Sequence, residues 1–279
     1  MLSAWACTPE LVVVLDEATS QAYGGESGLQ GAARSVSGLN SRIELVNDGS
    51  DPADEVKAVL EDYPDSRVGV PVLLADTLES LSAEALESVV VLGGGRAESP
   101  ADEPIVAENS QSGPARIYFN DEAAIRSAGA RIAGVIQGAG NEVLVIHGEN
   151  REPIDLFLQE MRSRIGAEAG EPEPVEEIHV SEMGSDRDAR RRIESFVESG
   201  GRVVVSSAAA RLQPLMEASE AGDLTFVSLF PRLVASAEDA SSDSFRTLRV
   251  VRSFEHLIET AFTLDPGDQV RIDAILQSN

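Results

Sequence analysis

The feature that most constrains this chain is a repeated alternation of short apolar runs with longer helix-like stretches. Leu11–Leu15 reads LVVVL and ends at Asp16. Continuous apolar runs of this length are strands buried on both faces of a parallel sheet. Further strands are predicted at Arg42–Val46, Val68–Leu74, Val89–Leu92 and Arg116–Phe119, then at Val143–Ile146, Ile178–Val180, Val203–Val205, Leu224–Leu229 and Thr247–Val251. Helical periodicity fills the intervals: 26–39, 52–63, 78–87, 122–137, 153–165, 187–198, 208–217 and 254–262. Asp51-Pro52 is a start signal, with an N-cap acid, Pro at the first position and more acids in the first turn. Residues 269–276 form a last short element. Strands alternating with helices of about 10–15 residues argue for βαβ units. Two such series meet near residue 120, so the expected class is α/β, with two Rossmann-like lobes built on parallel sheets.

Length agrees with this. At roughly 150 residues per domain, 279 residues make two domains or two lobes. No apolar run approaches the ~18–20 residues of a membrane-spanning helix. The chain carries 22 basic and 48 acidic residues, a net charge of −26. Phosphate backbones repel such a surface, so no nucleic-acid partner is expected. The acidic excess reads as a solubility device or as the mark of a salty habitat. One cysteine, Cys7, and three histidines, His147, His179 and His256, leave too few ligands for structural zinc or an iron–sulfur cluster. Neither a metal nor a cofactor is expected.

The motifs that would carry chemistry are incomplete. Gly93-Gly94-Gly95 follows a strand, but Arg96-Ala97 stands where a phosphate loop needs Lys-Ser/Thr. Gly138-Ala139-Gly140 precedes a strand, contrary to the dinucleotide fingerprint. Ser206-Ser207 ends a strand without the Gly-x-Ser-x-Gly frame of a nucleophile elbow. It fits polar ligand recognition or helix capping. His147 lacks the further ligands that a metal needs and reads as a loop-rim residue, with Glu149 or Asn150 behind it as candidates for a ligand rim.

Ligands of open α/β sheets bind beyond the carboxyl ends of strands. That rule selects Asp16 to Tyr23, Ala75-Asp76, Gly93–Gly95, Asn120, Asp121, His147 to Asn150, Ser206, Ser207 and Phe230 to Arg232. Within these, Asp16, Ser20, Tyr23, Asn120, Asp121, Glu149, Asn150, Ser206, Ser207, Phe230 and Arg232 are the expected ligand-binding residues. Aromatic faces beside a few hydrogen-bonding groups suit a small polar or ring-containing solute. No pair forms an acid/base dyad, so no enzyme is expected. Residues 2–7, Leu-Ser-Ala-Trp-Ala-Cys, place small residues before a cysteine, as at a bacterial lipoprotein cleavage site. Six residues are too short for a signal peptide, so lipidation requires residues upstream of Met1; the alternative is a buried or incidental thiol near a frayed terminus.

With these elements in order, the chain resembles type I periplasmic solute-binding proteins, most closely the basic membrane lipoprotein (purine nucleoside receptor) branch, over about residues 10–264. Arg116–Val135 (RIYFNDEAAIRSAGARIAGV) is similar to the family's strand-then-helix passage between lobes. Gly200–Val227 resembles its passage of buried strand, small residues, helix and strand, and Leu248–Phe262 the strand and helix after the last crossing. A cysteine before the first strand matches the family's lipid anchor. The family's Asp-x-Ser-Phe-Asn type motif corresponds here to Asp16–Tyr23, where only Asp16 and Ser20 match. Its Gly-x-Asp at the end of a C-lobe strand is here Ser228-Leu229-Phe230, without the ribose-binding aspartate.

The resemblance implies a three-crossing hinge, with an anchor tail at 1–8, a first lobe of 9–119 plus 231–264 and a second of 120–230 plus 265–279. It implies a protein lipid-anchored through Cys7 at the outer face of the cell envelope, clamping a nucleoside- or sugar-like solute between lobes for an ABC-type permease. The alternatives are a degenerate relative acting as a sensor or protein-interaction module, a two-lobed enzyme such as a uroporphyrinogen-III-synthase-like lyase, and an intracellular regulator's sensor domain.

Overall fold

The computed structural model describes residues 8–36, 38–46, 51–71, 74, 78–94, 113–136, 142–165, 175–208, 224–237 and 247–278. The first series runs β1 (Leu11–Leu15), α1 (Glu17–Ala22), α2 (Gly25–Ser35), β2 (Ser41–Leu45), α3 (Pro52–Asp62), β3 (Arg67–Pro71), α4 (Ala83–Leu86), β4 (Val89–Gly94) and β5 (Ala115–Asn120). The second runs α5 (Glu122–Ala133), β6 (Val143–His147), α6 (Glu152–Ile165), β7 (Val175–His179), α7 (Asp186–Glu198), β8 (Val203–Ser206) and β9 (Thr225–Val234). The chain closes with β10 (Thr247–Ser253), α8 (Phe254–Thr263), β11 (Gln269–Asp273) and β12 (Ile275–Ser278).

Among the described residues the strands form two six-stranded sheets, ordered β11-β5-β4-β3-β1-β2 and β12-β10-β9-β8-β6-β7. The ladders joining β2, β1, β3, β4 and β5 are parallel, as are those joining β7, β6, β8 and β9. The β10–β12 ladder is antiparallel. Each sheet with its helices is a doubly wound unit, so the expected α/β class, two Rossmann-like units on mainly parallel sheets, holds.

Period-two alternation assigns each strand's side chains to the two faces. In the first unit Val12, Val14, Val68 and Val70 pack with Val56 and Val59 of α3. Val13 and Leu15 pack on the other face with Leu29 of α2 and Leu257, Ile258 and Ala261 of α8. In the second unit Val143, Val145, Val203 and Val205 meet Ile132 of α5 and Phe157 and Met161 of α6. Leu144, Ile146 and Val204 meet Ala189, Ile193 and Phe196 of α7.

Helix starts follow local chemistry. Asp51 caps α3 by accepting from Ala53 N at 2.9 Å, with Pro52 at the first position. Residues 16–22, not expected to be helical, form α1 because Asp16 accepts from Thr19 N at 2.8 Å. The expected helix over 78–87 is instead a single 3-10 turn at 78–80 followed by the four-residue α4. Gly93 adopts φ +79°, where β4 bulges against β5 between Val91 and Gly94. Most of the helix expected over 208–217 lies outside the described residues, as do Ala75-Asp76, Gly95 and Cys7.

The path between units differs from the three crossings expected. The first unit holds the chain up to Asn120, with Leu233–Ala237 and Ser253–Ile272; the second holds Asp121–Arg232, Glu238–Arg252 and Asp273 onward. Five changes of unit result. Strand β10, expected within the first lobe's 231–264 segment, belongs to the second sheet, where Leu248 and Val250 are buried. Strand β11, expected in the second lobe, joins the first sheet beside β5, where Arg116 N donates to Asp268 O at 2.7 Å. The element over 269–276 is therefore two strands, one in each sheet.

Candidate functional site

The carboxyl ends of the parallel strands in each unit carry the polar residues singled out above. In the first unit Asp16 follows β1, and both its carboxylate oxygens are engaged. Oδ1 accepts from Thr19 N and Oδ2 accepts from Thr19 Oγ1 at 2.6 Å. Ser20 lies one turn into α1, 2% exposed, its N–H donating to Asp16 O. Tyr23 is 5% exposed, its ring 5.1 Å from that of Phe254 in the core. Burial there makes Tyr23 a packing residue of the first unit. Asn120 ends β5, half-buried.

The second unit gathers more. Ile146, Ser206 and Ser228 lie abreast on β6, β8 and β9, in the register Ile146–Ser206 and Ser206–Ser228. Ser206 is fully buried and its Oγ accepts from Ala208 N at 3.3 Å. Ser228 Oγ donates to Phe230 O at 3.4 Å. Ser207 N donates to Ile146 O at 3.1 Å, which fixes the backbone at the sheet edge. The Ser207 Oγ is buried and has no hydrogen-bond partner among the described residues. Buried hydroxyls nearly always find a partner, so an unpartnered one at a strand end calls for a ligand or ordered water.

Around this edge Glu149 and Asn150 are exposed in the turn after β6, and Asn150 Oδ1 accepts from Glu152 N at 3.1 Å at the start of α6. Phe230 is 43% exposed, unusual for so large an apolar ring, and Arg232 is exposed two residues later. Asp121 sits at the start of α5, and its carboxylate accepts twice from Arg252, at 3.1 Å from Nε and 2.7 Å from Nη2. The structure thus sets Ser206 beside Ser228 at the end of β8, with Ser207 following and Phe230 two residues further along β9, and it commits Asp16 to Thr19 and Asp121 to Arg252.

Two residues here were not singled out from the sequence. Ser228 matches Ser206 because both follow a buried apolar run at the same offset, a signal readable once β8 and β9 are paired. His179 stands directly beside His147 across the β6–β7 ladder, with ring centroids 5.4 Å apart. No spacing rule links residues 32 positions apart, so only the register reveals that pair. Among the described residues no group of three or more His, Cys, Asp or Glu converges on a metal position.

No protein-family model and no curated protein sequence matches the chain. Solved structures resemble it in backbone. A sugar transporter from Clostridium phytofermentans aligns at a TM-score of 0.49 and 12% identity, over 97% of this chain and 99% of that one. A LacI family transcriptional regulator from Arthrobacter sp. FB24, solved with lactose, aligns at 0.49 and 11%, over 95% and 97%. An ABC transporter solute binding protein from Agrobacterium vitis with bound allitol aligns at 0.46 and 11%, over 97% and 96%.

Proposed function

We propose that this chain is an extracytoplasmic solute-binding protein, lipid-anchored through Cys7, that takes a small polar solute of nucleoside or sugar type at the carboxyl ends of its strands and delivers it to an ABC-type permease. The observation that carries the binding reading is the Ser207 hydroxyl, buried and unpartnered among the described residues, beside Ser206 and Ser228. A solute hydroxyl there gains a hydrogen bond that the protein otherwise leaves unmade. Phe230, exposed in β9 two residues past Ser228, offers a flat apolar face to a sugar or base. Small residues before Cys7 support the anchor.

The test is thermal unfolding of the full chain against pentoses, hexoses, polyols and nucleosides. A solute at about 100 times its Kd adds about 2.7 kcal/mol, which raises the midpoint by roughly 2–4 °C for a chain of this size. A rise with one class supports the reading and names the class. A flat panel overturns it in favour of the second reading, a sensor or protein-interaction module. That second reading draws on Asp16, Tyr23 and Asp121, whose side chains are spent on internal contacts.

A further inference from the structure

Two of the three histidines in the chain are brought side by side by the fold. His147 ends β6 and His179 ends β7, and they are direct partners in the parallel ladder. Partners in register project from the same face of a sheet. Their rings lie 5.4 Å apart, centroid to centroid, at 75°. Both residues are half-exposed, so solvent reaches them. We propose that His147 and His179 form a two-imidazole site for a divalent first-row transition metal at the edge of the second sheet.

Two observations carry this, and a third sets what the ion must displace. The first is separation. Two imidazoles that share one zinc ion at about 2.1 Å with tetrahedral angles hold their ring centroids about 5 Å apart, close to the separation seen. The second is the hydrogen bonding of His147. Its Nδ1 lies 2.9 Å from Gly148 O. A carbonyl oxygen only accepts, so Nδ1 carries the proton and Nε2 keeps its lone pair. A ligating histidine that gives its other N–H to a backbone carbonyl is the ordinary supporting arrangement in metal sites. The third is Ser181. It presents both its N–H, at 3.2 Å, and its hydroxyl, at 2.6 Å, to Nδ1 of His179. The Ser181 N–H donates to that nitrogen, so without an ion His179 carries its ring proton on Nε2; taking up the ion through Nε2 moves the proton to Nδ1, where the Ser181 hydroxyl accepts it and the bond from Ser181 N–H is given up.

Neighbouring carboxylates are used elsewhere. Glu177, on the same face of β7, pairs with Arg151 at 2.8 Å, and Glu182 accepts from His179 N at 3.3 Å. The site is therefore two nitrogens with the remaining positions open to water or to a chelating solute. Imidazole donors select zinc, nickel and copper over magnesium and calcium. The site stands apart from the solute reading, since β6 and β7 would hold the ion whether or not Ser207 binds a sugar.

The experiment uses metal-stripped full chain near neutral pH. Equimolar Cu²⁺ is read by electron paramagnetic resonance, where nitrogen ligands split the copper lines and carboxylates do not. A two-nitrogen pattern is expected; an oxygen-only spectrum overturns the proposal, and this reading needs no variant to fold. Calorimetric titration with Zn²⁺ is expected to give one micromolar site per chain, weakened at least about tenfold in His147→Asn and in His179→Asn and unchanged in His256→Asn. Equal affinity in all four proteins would mean that zinc merely decorates the acidic surface and that the two rings are only packed edge to face.

Discussion

At the scale of single residues, the clearest division is between side chains the fold consumes and those it leaves available. Asp121 and Arg252 make a two-point ion pair, each side chain 19% exposed. Such forked pairs have fixed geometry and are stronger than ordinary hydrogen bonds. Replacing Arg252 with Met should lower the unfolding free energy of the second unit by about 1–3 kcal/mol. Adding Asp121→Asn should restore part of that loss, because the half-buried carboxylate is then no longer left unpaired. Denaturant unfolding of the two single variants and the double variant measures the coupling, and simple additivity would contradict it. The same division explains what the sequence could say about the site. A strand-end rule finds Ser206, Ser207 and Phe230, since position after an apolar run is visible. It cannot separate Tyr23, which turns into the core, from Phe230, which does not, because that depends on the partner ring of Phe254 some 230 positions away.

Among elements, helix packing and helix anchoring set the stability of each unit. Where α5 crosses α6, a Cβ on Gly129 would lie 2.5 Å from Phe157 O and 3.2 Å from Met161 N. Backbone cannot retreat as a flexible side chain can, so Gly129→Ala should cost about 1–3 kcal/mol. In α2 a Cβ added to the exposed Gly31 would meet nothing within 4 Å. Gly31→Ala should therefore stabilise by about 0.5–1 kcal/mol through helix propensity and a less flexible unfolded chain. Opposite shifts of the thermal midpoint check the pair. Glu255, in the first turn of α8, joins three segments: its carboxylate accepts from Ser35 Oγ of α2 at 2.6 Å and from Ser236 Oγ. These bonds, that from Ser236 foremost, hold its pKa below the ordinary carboxylate value. A carboxyl group with a depressed folded pKa contributes stability above its unfolded pKa of about 4.3 and loses it as pH falls through the folded value. Acid unfolding of Glu255→Gln should accordingly begin from a lower stability at pH 7, and the gap to the unaltered chain should close below about pH 4. A gap that stays constant with pH would show that the carboxylate's charge contributes nothing. Strand and helix identities were legible because they rest on local periodicity and caps such as Asp51-Pro52. The split of residues 269–276 into β11 and β12 was not, because two short polar strands are assigned to different sheets by partners far along the chain.

For the whole molecule, the two α/β units were readable from the doubled series of strands and helices. The five changes of unit were not, since no local signal marks where β10 and β11 pair. The central claim is that the carboxyl edge of the second sheet holds a polar solute through the buried hydroxyl of Ser207. Calorimetric titration of the full chain and of Ser207→Ala, with whichever solute raises the unfolding midpoint most, tests this directly. One solute per chain is predicted, bound roughly tenfold more weakly by Ser207→Ala, as for the loss of a buried hydrogen bond. Equal affinities in the two proteins would contradict the account.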